Sequence, residues 1–340
     1  MTASATIGDE PSVRDARLLT DAFGWIVTNQ SGYLTHDDGR TWAAFPEDFA
    51  IDTVSAQDEH HVLAAGIEPD GIHVAMTVDG GAHWTMSRLE SQAEPGALTS
   101  AFGHGVAALL AQQTTSANFS VGDVYVRNAD GAWVMHSAPT AGALTIDAKG
   151  SIWLVGGVQH EGVWISSDNA ESWRQVKLPT ASSDAFAVSS AVALDDGSVV
   201  VTITTNGPDS TAVFVQTSDG GMTWKRGAVV DGLGQTVAGT SLPNAIVDAE
   251  HWVVLGAQSD ALIRTSEAGV ALPAISPRGL PPGVISLSFP TLSHGWAVSA
   301  NGTCAADKMD CSLQERVSVT SDGGQTWAPL PIPTQTAARQ

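Results

Sequence analysis

An all-β, seven-bladed β-propeller with four antiparallel strands per blade is the fold this sequence predicts. Three observations lead there: an Asp-anchored turn that recurs at propeller spacing, a short apolar strand ahead of each copy, and no convincing helical period anywhere.

The turn motif is written most fully at Thr35–Trp42, Thr77–Trp84, Ser166–Trp173, Thr217–Trp224 and Thr320–Trp327. Degenerate copies occupy Asn128–Trp133 and Thr265–Gly269, which brings the number to seven. Their tryptophans, Trp42, Trp84, Trp133, Trp173, Trp224 and Trp327, are separated by 42, 49, 40, 51 and 103 residues, the last step spanning the copy without Trp. A period of about 40 to 50 residues belongs to propeller blades or solenoid repeats. Asp-Gly turns between antiparallel strands favour blades.

The strand ahead of each copy gives a second register of seven. It reads Phe23–Val27, His60–Ala64, His104–Ala108, Ser151–Val155, Ser198–Thr202, His251–Leu255 and His294–Val298. Each run is short, rich in β-branched residues, Ala or Trp, and bounded by turn formers. Blade boundaries follow at 12–48, 49–93, 94–139, 140–180, 181–232, 233–278 and 279–333, with tails at 1–11 and 334–340.

The motif chemistry is that of a scaffold. A turn between the third and fourth strands leaves backbone amides without partners; an Asp carboxylate accepts them, and Gly supplies left-handed dihedrals. The anchoring carboxylates are assigned to Asp38, Asp79, Asp130, Asp168, Asp219 and Asp322. The closing Trp is expected to bury a large aromatic surface between sheets. Asn169 tolerates the left-handed conformation, whereas Glu267-Ala268 does not, so blade six is expected to have an altered turn.

Composition narrows the partners. Against 15 basic residues stand 36 acidic ones, a formal charge of −21, which repels phosphate backbones and anionic lipid. Nucleic acid and membrane insertion are therefore not expected, and neither is a cofactor or a metal. A monomer is expected. The first residues lack the pattern of a signal peptide. Cys304 and Cys311 lie close together in a polar stretch, a spacing that suits a local disulfide, with reduced thiols as the alternative. A disulfide implies an extracellular or cell-envelope setting for a mature form; otherwise the chain is cytoplasmic.

The repeated motif resembles the Asp-box, or bacterial neuraminidase repeat, of sialidases, sortilin-type receptors and xyloglucan-degrading enzymes. The pairing of Gly295–Val298 with Thr320–Trp327 is most similar in style to propellers of the photosystem II stability and assembly factor type. That resemblance spans nearly the whole chain and implies the fold; its functions are too varied to imply one. A sialidase needs a Tyr nucleophile, and Tyr33 and Tyr125, the only tyrosines, are both expected away from the axis.

Function is then expected on the face opposite the motif turns, where long loops gather. The expected loops are Asn29–Gly32, Ile67–His73, Gln112–Asp123 and Ala300–Arg316, the last being the longest. Asn301, Asp307, Lys308 and Arg316 are the ligand-binding candidates there. Glu68, Asp70 and His73, and likewise His160 and Glu161, combine carboxylates with imidazoles that can act as acid, base or metal ligand. Histidines 60, 61, 104, 251 and 294 precede second strands on the motif face, and turn hydrogen bonding explains them better than a metal ring. The reading favoured is a binding scaffold for a protein or carbohydrate; the alternative is a carbohydrate-active enzyme, hydrolase or lyase, using loop-face carboxylates.

Overall fold

A computed structural model describes residues 11–46, 49–91, 95–114, 120–157, 162–180, 186–205, 209–235, 242–258, 261–266, 270–304 and 311–333. Its 27 strands form seven separate antiparallel sheets, each built from strands consecutive in sequence. The protein is a seven-bladed β-propeller. Blade one shows the pattern: Val13–Leu18 innermost, then Gly24–Thr28, Gly32–Thr35, and Ala43–Ala44 at the rim.

Core side chains lie between blades. Alternation along each second strand sends one residue to each neighbouring sheet. Trp153 and Val155, for example, pack with Val188 and Val201 of blade five, whereas Ile152 and Leu154 pack with Leu110 and Val124 of blade three. Among the described residues no strand crosses from the last blade into the first. The ring closes through side chains: Val13, Ala16, Leu18 and Ile26 of blade one pack on Trp296, Val298, Val317 and Leu330 of blade seven.

Blade six departs from the four-stranded pattern. Among the described residues it has three strands, Asn244–Ile246, Trp252–Leu255 and Leu262–Arg264. Its rim position is filled by an irregular segment that meets the third strand at the isolated bridges Thr265↔Ala271 and Leu262↔Ile275. Pro273 sits between those bridges and has no N–H for a regular ladder. The residues at 267–269, where an altered turn is expected, lie outside the described residues.

The motif turns share one geometry in blades one, two, four, five and seven. In blade five, Asp219 Oδ1 accepts the amides of Met222 and Thr223, Oδ2 accepts the Thr223 hydroxyl, and Thr217 donates to Oδ1 at 2.8 Å. Thr217 Oγ1 in turn accepts the Gly221 amide at 2.9 Å, so hydroxyl and carboxylate together serve the turn. These bonds hold Asp79, Asp168, Asp219 and Asp322 down at about 2, a lowering led by hydrogen bonds from the residue four positions on.

In blade one the anchor is Asp37, not Asp38. Asp37 accepts the Thr41 amide at 2.7 Å and its hydroxyl at 2.6 Å. Asp38 stands where other turns carry Gly or Asn, with φ 60°, and reaches into blade seven. Its Oδ1 meets His294 Nε2 at 2.9 Å and accepts the Trp296 indole N–H at 3.1 Å. Blade three differs too: Asp130 accepts only the Ala132 amide at 3.0 Å, within a tight turn closed by Asn128 N–H to Ala132 carbonyl.

Blade four retains the shared geometry without glycine. Asn169 and Ala170 adopt φ 58° and 69°, and Ala170 is buried among Leu110, Val126 and Ile152. The motif tryptophans are less enclosed than the sequence suggests. Only Trp327 is buried, the other five being half-buried at the rim, whereas Trp25, Trp153, Trp252 and Trp296 of the second strands are buried. Rim sheets have solvent on their outer edge, so a side chain there can cover only one neighbour.

Candidate functional site

Turns between first and second strands share a face with the motif turns, because every blade repeats the same antiparallel order. The opposite face carries the hairpins joining second and third strands. Two of these are built from extended strands where the sequence suggests loops. Blade seven runs Gly295–Cys304 against Cys311–Thr320, ten residues each, so Ala300–Arg316 is largely strand and not a long loop. Blade three runs Val106–Thr114 against Ser120–Arg127, which makes most of Gln112–Asp123 strand as well.

In blades one and four the corresponding strands hold only four or five residues. At ~3.4 Å per residue, five more residues carry a hairpin about 17 Å further out. The face is therefore uneven, with two tall hairpins beside low ones. Once pairing begins, every added residue gains ladder hydrogen bonds.

Asn301 lies on the blade-seven hairpin and donates its side-chain N–H to the Pro282 carbonyl, tying the hairpin base to the connection from blade six. Arg316, exposed, reaches Gln314 on its own strand at 3.4 Å. Asp307 and Lys308 lie outside the described residues, as do His160 and Glu161. The backbone register sets Cys304 opposite Cys311.

Glu68, Asp70 and His73 belong to the blade-two hairpin, Val62–Glu68 with Gly71–Thr77, joined by Pro69-Asp70. Glu68 accepts the Ala50 amide at 2.9 Å. Asp70 receives Arg88 Nη1 at 2.9 Å on one oxygen and His73 Nε2 at 2.8 Å on the other. Those bonds, Arg88 first and His73 second, lower the Asp70 pKa and keep it ionised. Each of the two carboxylates thus serves its own blade. Among the described residues no group of three or more His, Cys, Asp or Glu is gathered so as to hold a metal ion.

Two histidines of the motif face are partners within their own turns. His61 Nδ1 lies 2.8 Å from Asp58, and His251 Nδ1 lies 2.8 Å from Asp248, while both aspartates also accept turn amides.

On the axis lies a cavity of about 1150 Å³, walled by the inner strands of all seven blades. Its lining continues into first-to-second-strand turns, including Gln57, His104, Asp196, Glu250 and Pro290, so it reaches the motif face. A second, shallower cavity of about 500 Å³ lies between the rims of blades two and three, against Arg88, Glu90, Tyr125 and Trp133.

The axial wall contains the residues that sequence reasoning missed. Blade one's inner strand, Val13–Leu18, contributes Asp15 and Arg17; the inner strands Thr53–Ala56, Ala97–Gly103, Gly142–Ile146, Phe186–Ala193, Asn244–Ile246 and Val284–Ser288 carry no charged residue. Setting the seven inner strands in register would have exposed this difference. Asp15 accepts the Trp25 indole N–H at 2.8 Å. Burial pushes the Asp15 carboxyl up, against the opposing pull of Trp25 and Arg17. Arg17 itself is exposed, and the neighbouring Asp15 favours its charged form.

No protein-family model matches this chain, and no curated protein matches its sequence. Solved structures do. A structure described as YCF48 bound to D1 peptide superposes with a TM-score of 0.56 at 19% identity, covering 84% of this chain and 88% of that one. YCF48 from Cyanidioschyzon merolae gives a TM-score of 0.53 at 15% identity over 94% and 95% of the two chains. A streptogramin B lyase gives 0.55 at 9% identity over 91% and 93%. At such identities the likeness is one of fold.

Proposed function

We propose that this protein is a binding scaffold that presents the face opposite its motif turns to a protein segment. The observation that carries the proposal is the inequality of the hairpins: blades three and seven rise well above blades one and four. Repetition of identical blades needs no such departure, and long features on a rigid ring are where recognition concentrates. A strand pair also offers backbone edges to an extended segment. A propeller of the same fold is described bound to a peptide, which supports this class of ligand over a carbohydrate.

Binding is preferred to catalysis because Asp70 is held by Arg88 and His73, and Glu68 by the Ala50 amide. A general acid needs a free carboxyl with its pKa raised, and Asp70 has the opposite. The motif turns are proposed to be Asp boxes in the structural sense, with no part in recognition.

The test is a peptide and glycan array probed with the wild type, with Asn301→Ala/Arg316→Glu, and with Met222→Ser on the motif face. Peptide signals lost only in the loop-face variant support the scaffold. Signals equal in all three proteins, or confined to glycans, refute it.

A further inference from the structure

Arg17 occupies a position where charge is otherwise absent. It pairs in register with Trp25, just as Ile246 pairs with Trp252 and Ser288 with Trp296, so the same ring position is filled by neutral residues elsewhere. Its guanidinium lines the axial cavity and makes no hydrogen bond or ion pair with any described residue. Five N–H donors in a fixed fork are thereby left facing a walled space, and such a fork matches the two oxygens of a carboxylate.

The rest of the lining is mixed: Phe102, Leu144, Ile246 and Leu287 supply apolar surface, and Thr53, Thr99 and Ser286 belong to the same wall. At about 1150 Å³ the cavity has room for a small organic molecule and its water.

The mouth limits the charge of the occupant. Asp195, Asp196, Asp248 and Glu250 line the same cavity at the turns of blades five and six, and Asp15 stands two residues from Arg17. These carboxylates oppose a second negative charge, which disfavours phosphates, dicarboxylates and polyanions. One cation, apolar wall and acidic rim together select a single carboxylate on an apolar body.

We infer that the axial cavity is a binding site for a small organic monocarboxylate, with Arg17 gripping the carboxylate. The site is independent of the loop face and opens on the motif side. Asp15 acts as a positioning residue, fixed by Trp25 and holding the guanidinium in the lumen by charge.

Benzoate is the probe, with benzamide as the neutral isostere and phthalate and inorganic phosphate as the dianionic comparison. Calorimetric titration of the wild type is expected to give saturable 1:1 binding of benzoate, with each comparison compound at least tenfold weaker. Adding benzoate to labelled protein is expected to shift the Trp25 indole N–H resonance, a readout that needs no variant. Arg17→Gln should abolish binding and Arg17→Lys should weaken it about tenfold, since an ammonium keeps the charge without the fork. Absence of benzoate binding, equal binding of benzamide, tighter binding of phosphate, or undiminished binding by a folded Arg17→Gln protein would each overturn the assignment.

Discussion

The junction between blades seven and one and the junction between blades two and three solve the same packing problem with different success. At the first, Trp296 is fully buried, meets Trp42 in a tilted ring contact at 6.1 Å, and gives its indole N–H to Asp38. Asp38 also holds His294, Leu18 N–H meets the Ser288 hydroxyl at 3.0 Å, and Thr291 reaches Asp21 at 3.2 Å. At the second, the shortened turn of blade three leaves a cavity of about 500 Å³, and the buried Trp133 indole N–H has no partner. Among the described residues the closing junction shares no strand and is locked by side chains, whereas an internal junction is held by the chain itself and tolerates a gap.

That difference is open to direct attack, and the largest effect is expected at Trp296. Trp296→Ala removes a buried indole from the closing core and takes one of two partners from Asp38; the loss expected is about 3–5 kcal/mol in denaturant unfolding. An effect no larger than that of a rim substitution would show that the closing junction is not special.

Asp38→Ala comes next. It leaves the His294 and Trp296 donors without their acceptor, for an expected cost of about 1–3 kcal/mol. Asp38→Asn keeps an acceptor and is expected to recover part of it. Asp37→Ala breaks a local turn only, so the comparison of Asp37→Ala with Asp38→Ala separates turn formation from ring closure.

A pair of conservative changes compares the gap with a filled internal junction, that of blades six and seven, where Trp327 packs. Trp327→Phe loses a 3.0 Å bond to the Gly324 carbonyl and is expected to cost about 1 kcal/mol. Trp133→Phe removes a donor that has no partner, so its cost is expected to be smaller, and equal losses would count against the gap at blades two and three.

Acid gives the broadest and gentlest test. The motif carboxylates have folded pKa values of about 2, below the ordinary 3.8, so they stabilise the fold wherever they are ionised in both states. This contribution is complete above about pH 5 and is lost as pH falls through 4 towards 2. Thermal melts should hold level between pH 5 and 7 and fall below pH 4, with a smaller fall in Asp219→Asn.

Blade number, strand order and turn chemistry were legible because each is written seven times. The misassigned anchor shows how much register matters: Asp79, Asp168, Asp219 and Asp322 all stand five residues before their Trp, and counting back from Trp42 arrives at Asp37. The same count in blade three arrives at Asn128, which explains why Asp130 forms only a small turn. The apparent loop in blade seven was misread because its residues, Gly302, Thr303 and Ser312 among them, are polar, whereas pairing depends on backbone geometry that polar residues satisfy equally well. Arg17 passed unnoticed because a single charge among three in Val13–Leu18 looks like an ordinary exposed strand.

The sequence by itself determined the circular fold, since local turn preferences and apolar alternation act over a few residues and repeat along the chain. Tertiary structure alone decided what the repeats cannot encode: which aspartate reaches across the closing junction, and which charge faces the common axis. Those outcomes depend on residues hundreds of positions apart, Asp38 with Trp296 or Arg17 with Glu250, that become neighbours or share a wall only when the ring closes.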